Sequence, residues 1–203
     1  MAREATRSGA TEAPARGCVP DTETAGDDAH LAAAARADPE AFVALYRRYV
    51  GPVHRYLLGQ VGDRADAEDL TATTFGKALT ALDGYDERGT FAAWLFGIAR
   101  HTLRDHQRRR RPGLDVAPFV DVLPAADPPP EERALAAERA RTLHRLLDEL
   151  PTAQREALAL HYFGGLRTAE IAAIQGCGHG ALRMRIHRGL AALRARYRTE
   201  DEA

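Results

Sequence analysis

Residues 169–189, AEIAAIQGCGHGALRMRIHRG, put an apolar stripe and a cluster of arginines on one short segment of a chain whose net charge is only −1. Ile171, Ala172 and Ile174 supply an apolar face, Gly176 and Gly178 allow a tight turn, and Leu182, Ile186, Leu190 and Leu193 resume helical spacing. That pattern is a helix-turn-helix. At about 100° per residue, a buried stripe through Leu182, Ile186 and Gly189 turns Gly180, Ala181, Arg183, Met184, His187 and Arg188 toward solvent and leaves Arg185 beside the apolar face. An exposed basic second helix has the geometry to enter a major groove, where arginine reads guanine edges or holds phosphates. The same pattern also fits a plain three-helix packing unit with a solvated arginine face.

Outward from this segment the spacing predicts further helices. Arg194, Arg196 and Arg198 extend the positive surface, and no acidic residue lies between 171 and 199. Upstream, EERALAAERARTLHRLLDELP aligns Leu143, Leu146, Leu147 and Leu150, and TAQREALALHYFGG carries Leu158, Tyr162 and Phe163 to a Gly-Gly stop. Helices over 168–175 and 179–198 complete this unit. Before it, PGLDVAPFVDVLPAADPPP is too rich in proline for a regular element and reads as a linker.

A second helical unit precedes the linker. DPEAFVALYRRYVGPVHRYLLGQVGD spaces Phe42, Leu45, Tyr46, Tyr49, Val53, Tyr56 and Leu57 as an amphipathic helix, expected to bend or break near Gly51-Pro52. DRADAEDLTATTFGKALTALDGY opens on acidic residues that suit a helix N-terminus, continues through Leu70, Phe75, Leu79 and Leu82, and ends at Gly84. TFAAWLFGIARHTLRDHQRRRR has Thr90 as its N-cap and Phe91, Trp94, Leu95, Ile98 and Thr102 inward. Phe91 and Trp94 are read as core rather than as base-stacking platforms. Arg100, Arg104, Arg108 and Arg111 line one polar arc, either following phosphates or simply solvated. Asp63, Asp66, Glu68 and Asp69 oppose this positive surface and suit either helix-terminus chemistry or a basic protein partner.

The fold class is therefore all-α, two small helical domains joined by a Pro-rich linker, the second containing the helix-turn-helix. The expected divisions are a disordered extension over 1–28, a first domain over 29–112, a linker over 113–131 and a second domain over 132–203. Lys77 is the only lysine, so the positive charge is almost all arginine, the side chain suited to bidentate phosphate and base contacts. A GC-rich genome would favour arginine codons in any case. Cys18 and Cys177 stand in unlike contexts, which argues against a disulfide framework or a zinc site. No cofactor or metal is expected, and without a phosphate loop, ligand spacing or nucleophile motif neither is an enzyme. No apolar leader or membrane-length run occurs, so a cytoplasmic setting is expected.

Three segments in order, ADAEDLTATTFGKA, TFAAWLFGIARHTLRDHQRRRR and LDELPTAQREALALHYFGGLRTAEIAAIQGCGHGALRMRIHRGLAALR, resemble bacterial RNA polymerase sigma factors of the extracytoplasmic-function (ECF) group, over roughly residues 40–112 and 132–198. The resemblance implies that Asp66, Glu68, Asp69 and Leu70 bind the clamp helices of the polymerase β′ subunit. It implies contact with the promoter −10 element by Tyr85, Asp86, Arg88, Arg100, His101, Arg104 and Arg108. His179, Ala181, Arg183, Met184, Arg185, His187 and Arg188 map to the helix that meets the −35 element. Core polymerase (β′ clamp helices and β flap), promoter DNA and an anti-sigma factor are the partners implied, with the linker running toward the RNA exit path. Two departures stand out. Gly178 and Ala181 replace the Ser and Thr common around the start of the recognition helix, and Arg167 stands where a small N-cap is usual, with Thr168 beside it. A stand-alone helix-turn-helix regulator and a helical adaptor are the competing readings.

Overall fold

The computed structural model describes residues 22–86, 89–109 and 130–201, and these form eight α-helices with no strand among them. They are α1 (Thr22–Ala34), α2 (Pro39–Val61), α3 (Arg64–Ala81), α4 (Phe91–Arg109), α5 (Pro130–Asp148), α6 (Thr152–Tyr162), α7 (Thr168–Gln175) and α8 (His179–Asp201), with a 3₁₀ turn over Leu82–Gly84. Most of the expected linker, and the chain before Thr22, lie outside the described residues.

Local chemistry sets the boundaries. Asp38 caps α2 by accepting from the Glu40 N–H at 2.9 Å, Pro39 occupies the first turn, and Gly62 ends the helix at φ 70°, a left-handed conformation that glycine adopts without a Cβ clash. Asp63 immediately caps α3, accepting from the Asp66 N–H at 2.9 Å. Thr90 caps α4 as expected, its hydroxyl accepting from the Ala93 N–H at 3.2 Å. The basic end of α4, His106, Arg108 and Arg109, falls in the last turn, where cations meet the negative end of the helix dipole.

Three expectations change. Helix α1 begins at Thr22, inside the segment read as unordered. It lacks a large apolar stripe but is held by Asp28, a buried carboxylate that accepts from both Arg48 and the Tyr49 hydroxyl on α2, and by buried Ala32. Helix α2 runs uninterrupted through Pro52, with both halves buried through Tyr49, Val53, Tyr56 and Leu57. Apolar packing on either side of the proline offsets the roughly 3 kcal/mol that it costs inside a helix. Finally, α5 begins at Pro130, so the linker stops short of residue 131.

The two units share a core. A single apolar cluster joins Leu45, Tyr56, Phe91 and Phe96 of the first unit to Leu160, Leu166, Ile171 and Leu182 of the second. Helix α4 packs on α7 and α2 on α6. A smaller cluster of Leu147, Leu150 and Leu158, with Ile186, Leu190 and Leu193 against it, seats α5 and α6 on α8.

Candidate nucleic-acid interface

Helix α8 presents its faces as the 100° projection requires. Leu182 is fully buried, Ile186 is half-buried, and Gly189 sits so close to α6 that a Cβ there would lie 2.9 Å from Leu158 Cδ1. His179, Gly180, Ala181, Arg183, Met184, His187 and Arg188 are all exposed. Arg185 lies half-buried beside them and donates to Gln175 Oε1 at 2.8 Å. The turn before α8 is made by Gly176 at φ 61°, whose N–H reaches back to the carbonyls of Ala172 and Ala173. Arg167 occupies the N-cap of α7 and its side chain cannot accept a hydrogen bond. Glu170 instead accepts from the Arg167 backbone N–H at 2.8 Å, so only the carboxylate half of a capping box operates.

The second basic surface is less open. His101, Arg104 and Arg108 are exposed along α4, with Arg108 donating to Asp105 and His101 Nε2 3.3 Å from the same carboxylate. Arg100 belongs to the same arc but is turned into the second unit. Its Nε donates to Glu156 Oε1 on α6, and an end nitrogen donates to the Ile174 carbonyl of α7 at 2.8 Å. Tyr85 is buried, with its ring against Phe91 and Trp94 and its hydroxyl donating to the Gly89 carbonyl at 3.0 Å. It therefore supports the loop from inside, while Asp86 is exposed and Arg88 and Arg111 lie outside the described residues.

The acidic group at the start of α3 divides in the same way. Glu68 and Asp69 are exposed, with Glu68 accepting from Arg64 at 2.8 Å; Asp66 is half-buried with Oδ2 3.7 Å from His106 Nε2; and Leu70 is core. Periodicity missed the apolar neighbours of this patch. Leu79, placed in the helix's apolar run, is 53% exposed, and Tyr46 is 42% exposed with its ring edge-on to Phe75 at 4.8 Å. Glu68, Ala72 and Leu79, all exposed, follow one stripe of α3, which makes an acidic end and an apolar end of a single surface. The groove between α5 and α8 was missed as well. It holds about 520 Å³, with Leu143, Leu146, Leu193 and Tyr197 in its wall and Arg194 and Arg198 at its rim.

A helical unit with an acidic-apolar stripe and a basic helix, followed by a second in which a tight turn leads into an exposed arginine-bearing helix, is the architecture of a helix-turn-helix protein. Residues 45–112 match sigma-70 region 2 and residues 140–193 match sigma-70 region 4. The chain is 35% identical over 175 residues to the ECF RNA polymerase sigma factor SigD of Mycobacterium tuberculosis, spanning 82% of each protein. It is 33% identical over 159 residues to the ECF sigma factor BldN of Streptomyces coelicolor, spanning 77% of this chain and 60% of that one. Among solved structures it is similar to CnrH, determined in complex with the cytosolic domain of CnrY, at 29% identity and a TM-score of 0.67 over 85% of this chain and 97% of that one. The chain belongs to the ECF RNA polymerase sigma factors. Among the described residues no helix is long and apolar enough to cross a membrane.

Proposed function

We propose that this chain confers promoter specificity on core RNA polymerase in the cytoplasm, through protein and DNA contacts and with no catalysis of its own. The observation that carries the reading is the separation of two basic helices from an acidic-apolar stripe on α3, each on its own surface. Glu68 and Asp69, with the exposed Leu79 about three turns further along α3, suit the β′ clamp helices, with Asp66 and Leu70 holding the start of α3 in shape. The apolar groove rimmed by Arg194 and Arg198 suits the β flap as a second contact.

His101, Arg104 and Arg108, with Arg100 once released from Glu156, engage the −10 element, and Asp86 and Arg88 belong to the loop beside it. His179, Ala181, Arg183, Met184, His187 and Arg188 approach the −35 element, with Arg183 and Arg188 supplying base or phosphate contacts and Arg185 the edge of the footprint. An anti-sigma factor covering these surfaces is the expected protein antagonist; the similar protein CnrH was likewise determined in complex with a second protein, the cytosolic domain of CnrY.

Run-off transcription tests this. Core polymerase with the wild-type chain is expected to give specific transcripts from a promoter-fragment library, and Glu68→Lys/Asp69→Lys is expected to abolish them. Operator binding that needs no polymerase and survives the charge reversal would identify a stand-alone regulator instead.

A further inference from the structure

Arg36 stands in the turn between α1 and α2, and its backbone is fixed from both sides. On one side the Ala35 N–H donates to the Leu31 carbonyl at 2.8 Å, and the Ala37 and Asp38 N–H groups both donate to the Ala34 carbonyl, at 3.0 and 2.9 Å. On the other, Asp38 is the cap of α2. A residue between two such anchors has little backbone freedom left, so its side chain starts from a defined point. From there Arg36 donates through Nη2 to the Tyr85 carbonyl at 2.7 Å, 49 positions away in sequence and at the foot of the loop before α4.

That carbonyl controls where the loop goes. The peptide joining Tyr85 to Asp86 is planar, so a hydrogen bond that fixes the Tyr85 oxygen also fixes the direction in which Asp86 leaves. The rest of Tyr85 is held as well. It is 3% exposed, its hydroxyl donates to the Gly89 carbonyl at 3.0 Å, and its ring lies 5.2 Å from Trp94 and 5.7 Å from Phe91, centroid to centroid. Phe91 in turn meets the Tyr49 ring at 5.6 Å, and the Tyr49 hydroxyl donates to the buried Asp28 of α1. A path of contacts thus leaves α1 at Asp28, passes through Tyr49, Phe91 and Tyr85, and returns to the end of α1 at Arg36. Arg36 is the exposed member of this path, so its bond can be removed without opening the core. An exposed arginine gives up rotamer freedom to hold one carbonyl, which leaves little net stability. What the bond does supply is a single orientation for the loop.

We propose that Arg36 is a positioning residue for promoter recognition: by holding the Tyr85 carbonyl it presets the backbone from which Asp86 approaches the −10 element. Helix α1 then tunes how well one −10 sequence is told from another without touching DNA. A loop already in its bound orientation loses less freedom when DNA arrives. The role rests on the placing of Asp86 beside the −10 element above, whereas the contact of Arg36 with the loop does not.

The test separates loop geometry from transcription. Trp94 is the only tryptophan and lies against the Tyr85 ring, so its fluorescence reports the foot of the loop in the free, full-length chain. Arg36→Ala is expected to shift the emission to longer wavelength and to increase quenching by acrylamide, at an unchanged thermal midpoint. Run-off transcription with core polymerase is then measured over promoter fragments that differ at single −10 positions. The same variant should lose about fivefold in the ratio of the best to the next-best −10 sequence, roughly the worth of one hydrogen bond, while discrimination among −35 sequences stays at the wild-type level. Arg36→Lys, which keeps a donor on a long side chain, should recover most of both effects. Weaker transcription with Trp94 emission unchanged, or a salt dependence shallower by about one in log–log slope, would make Arg36 a direct phosphate contact and overturn the proposal. So would a shifted emission with wild-type −10 discrimination, and so would a uniform loss of yield that leaves both ratios intact, the mark of a merely structural role. If the wild-type chain supports no promoter-specific transcription, the promoter reading falls and the positioning role with it, and the Trp94 shift then shows only that Arg36 holds the loop.

Discussion

Helices α4 and α8 both carry a run of arginines on a polar face, yet the second unit leaves α8 open and occupies part of α4. On α8, Arg183 and Arg188 are exposed with the apolar stripe turned away behind them. On α4, Arg104 and Arg108 are exposed, while Arg100 is tied to Glu156 and the Ile174 carbonyl. Equal charge therefore does not mean equal availability. An arginine satisfied by a carboxylate must give up that partner before it can hold a phosphate, and an exposed one gives up only water.

The largest effect that would break this comparison is on activity. Arg183→Ala/Arg188→Ala should lower −35-dependent run-off transcription by roughly a hundredfold, at about 1–3 kcal/mol for each good contact, and leave the thermal midpoint almost unchanged because both side chains are exposed. A large drop in midpoint would mean that α8 uses them for packing. Next comes Leu182→Ala, which removes a fully buried side chain from the helix-turn-helix core; urea denaturation should show a loss of about 2–5 kcal/mol. A near-neutral result would show that the site collapses to fill the cavity.

Smaller and more discriminating is Arg100→Ala. It should reduce the cooperativity between the two units in calorimetry, where Arg104→Ala should not, because Arg100 reaches across to α6 and α7 while Arg104 is exposed. Two identical calorimetric traces would remove the distinction drawn between the arginines of α4. The smallest effect is on pH dependence. Burial lowers the pKa of His54 on α2 from its ordinary 6.5, with Glu68 opposing and Arg64 and Arg55 reinforcing the shift. Burial does the same to His144 on α5, opposed by Asp148. Each group binds its proton more readily in the unfolded chain, so the stability present above about pH 6.5 should fall as pH drops through and below that value. His54→Gln and His144→Gln should each flatten the slope of the urea midpoint between pH 7.5 and 5.5.

Much of the architecture was legible because it rests on local periodicity. A stripe of leucines and isoleucines every three or four residues identifies α5 to α8, and the same arithmetic separates the exposed Arg183 and His187 from the buried Leu182. Thr90 and the acidic opening at Asp63 marked helix starts because cap chemistry is carried by single residues, whereas Gly84, read as the end of α3, lies beyond it: the helix stops at Ala81 and a 3₁₀ turn over Leu82–Gly84 follows. What periodicity could not supply was the partner of each face. Leu79 has the spacing of a core residue and is exposed; Tyr85 lies in a polar loop and is buried under Phe91 and Trp94. Helix α1 is anchored by one carboxylate rather than an apolar stripe, so its composition resembles that of an unordered segment. The pairing of Arg100 with Glu156 spans 56 positions, and no spacing rule links residues so far apart.

Bare backbone at Gly59 lets the Phe163 ring of the second unit approach α2 so closely that a Cβ there would lie 2.7 Å from its Cδ2. A contact made of one ring on one glycine has no slack, so a single added methyl group would be felt in both units at once, and that position couples the packing of one to the packing of the other.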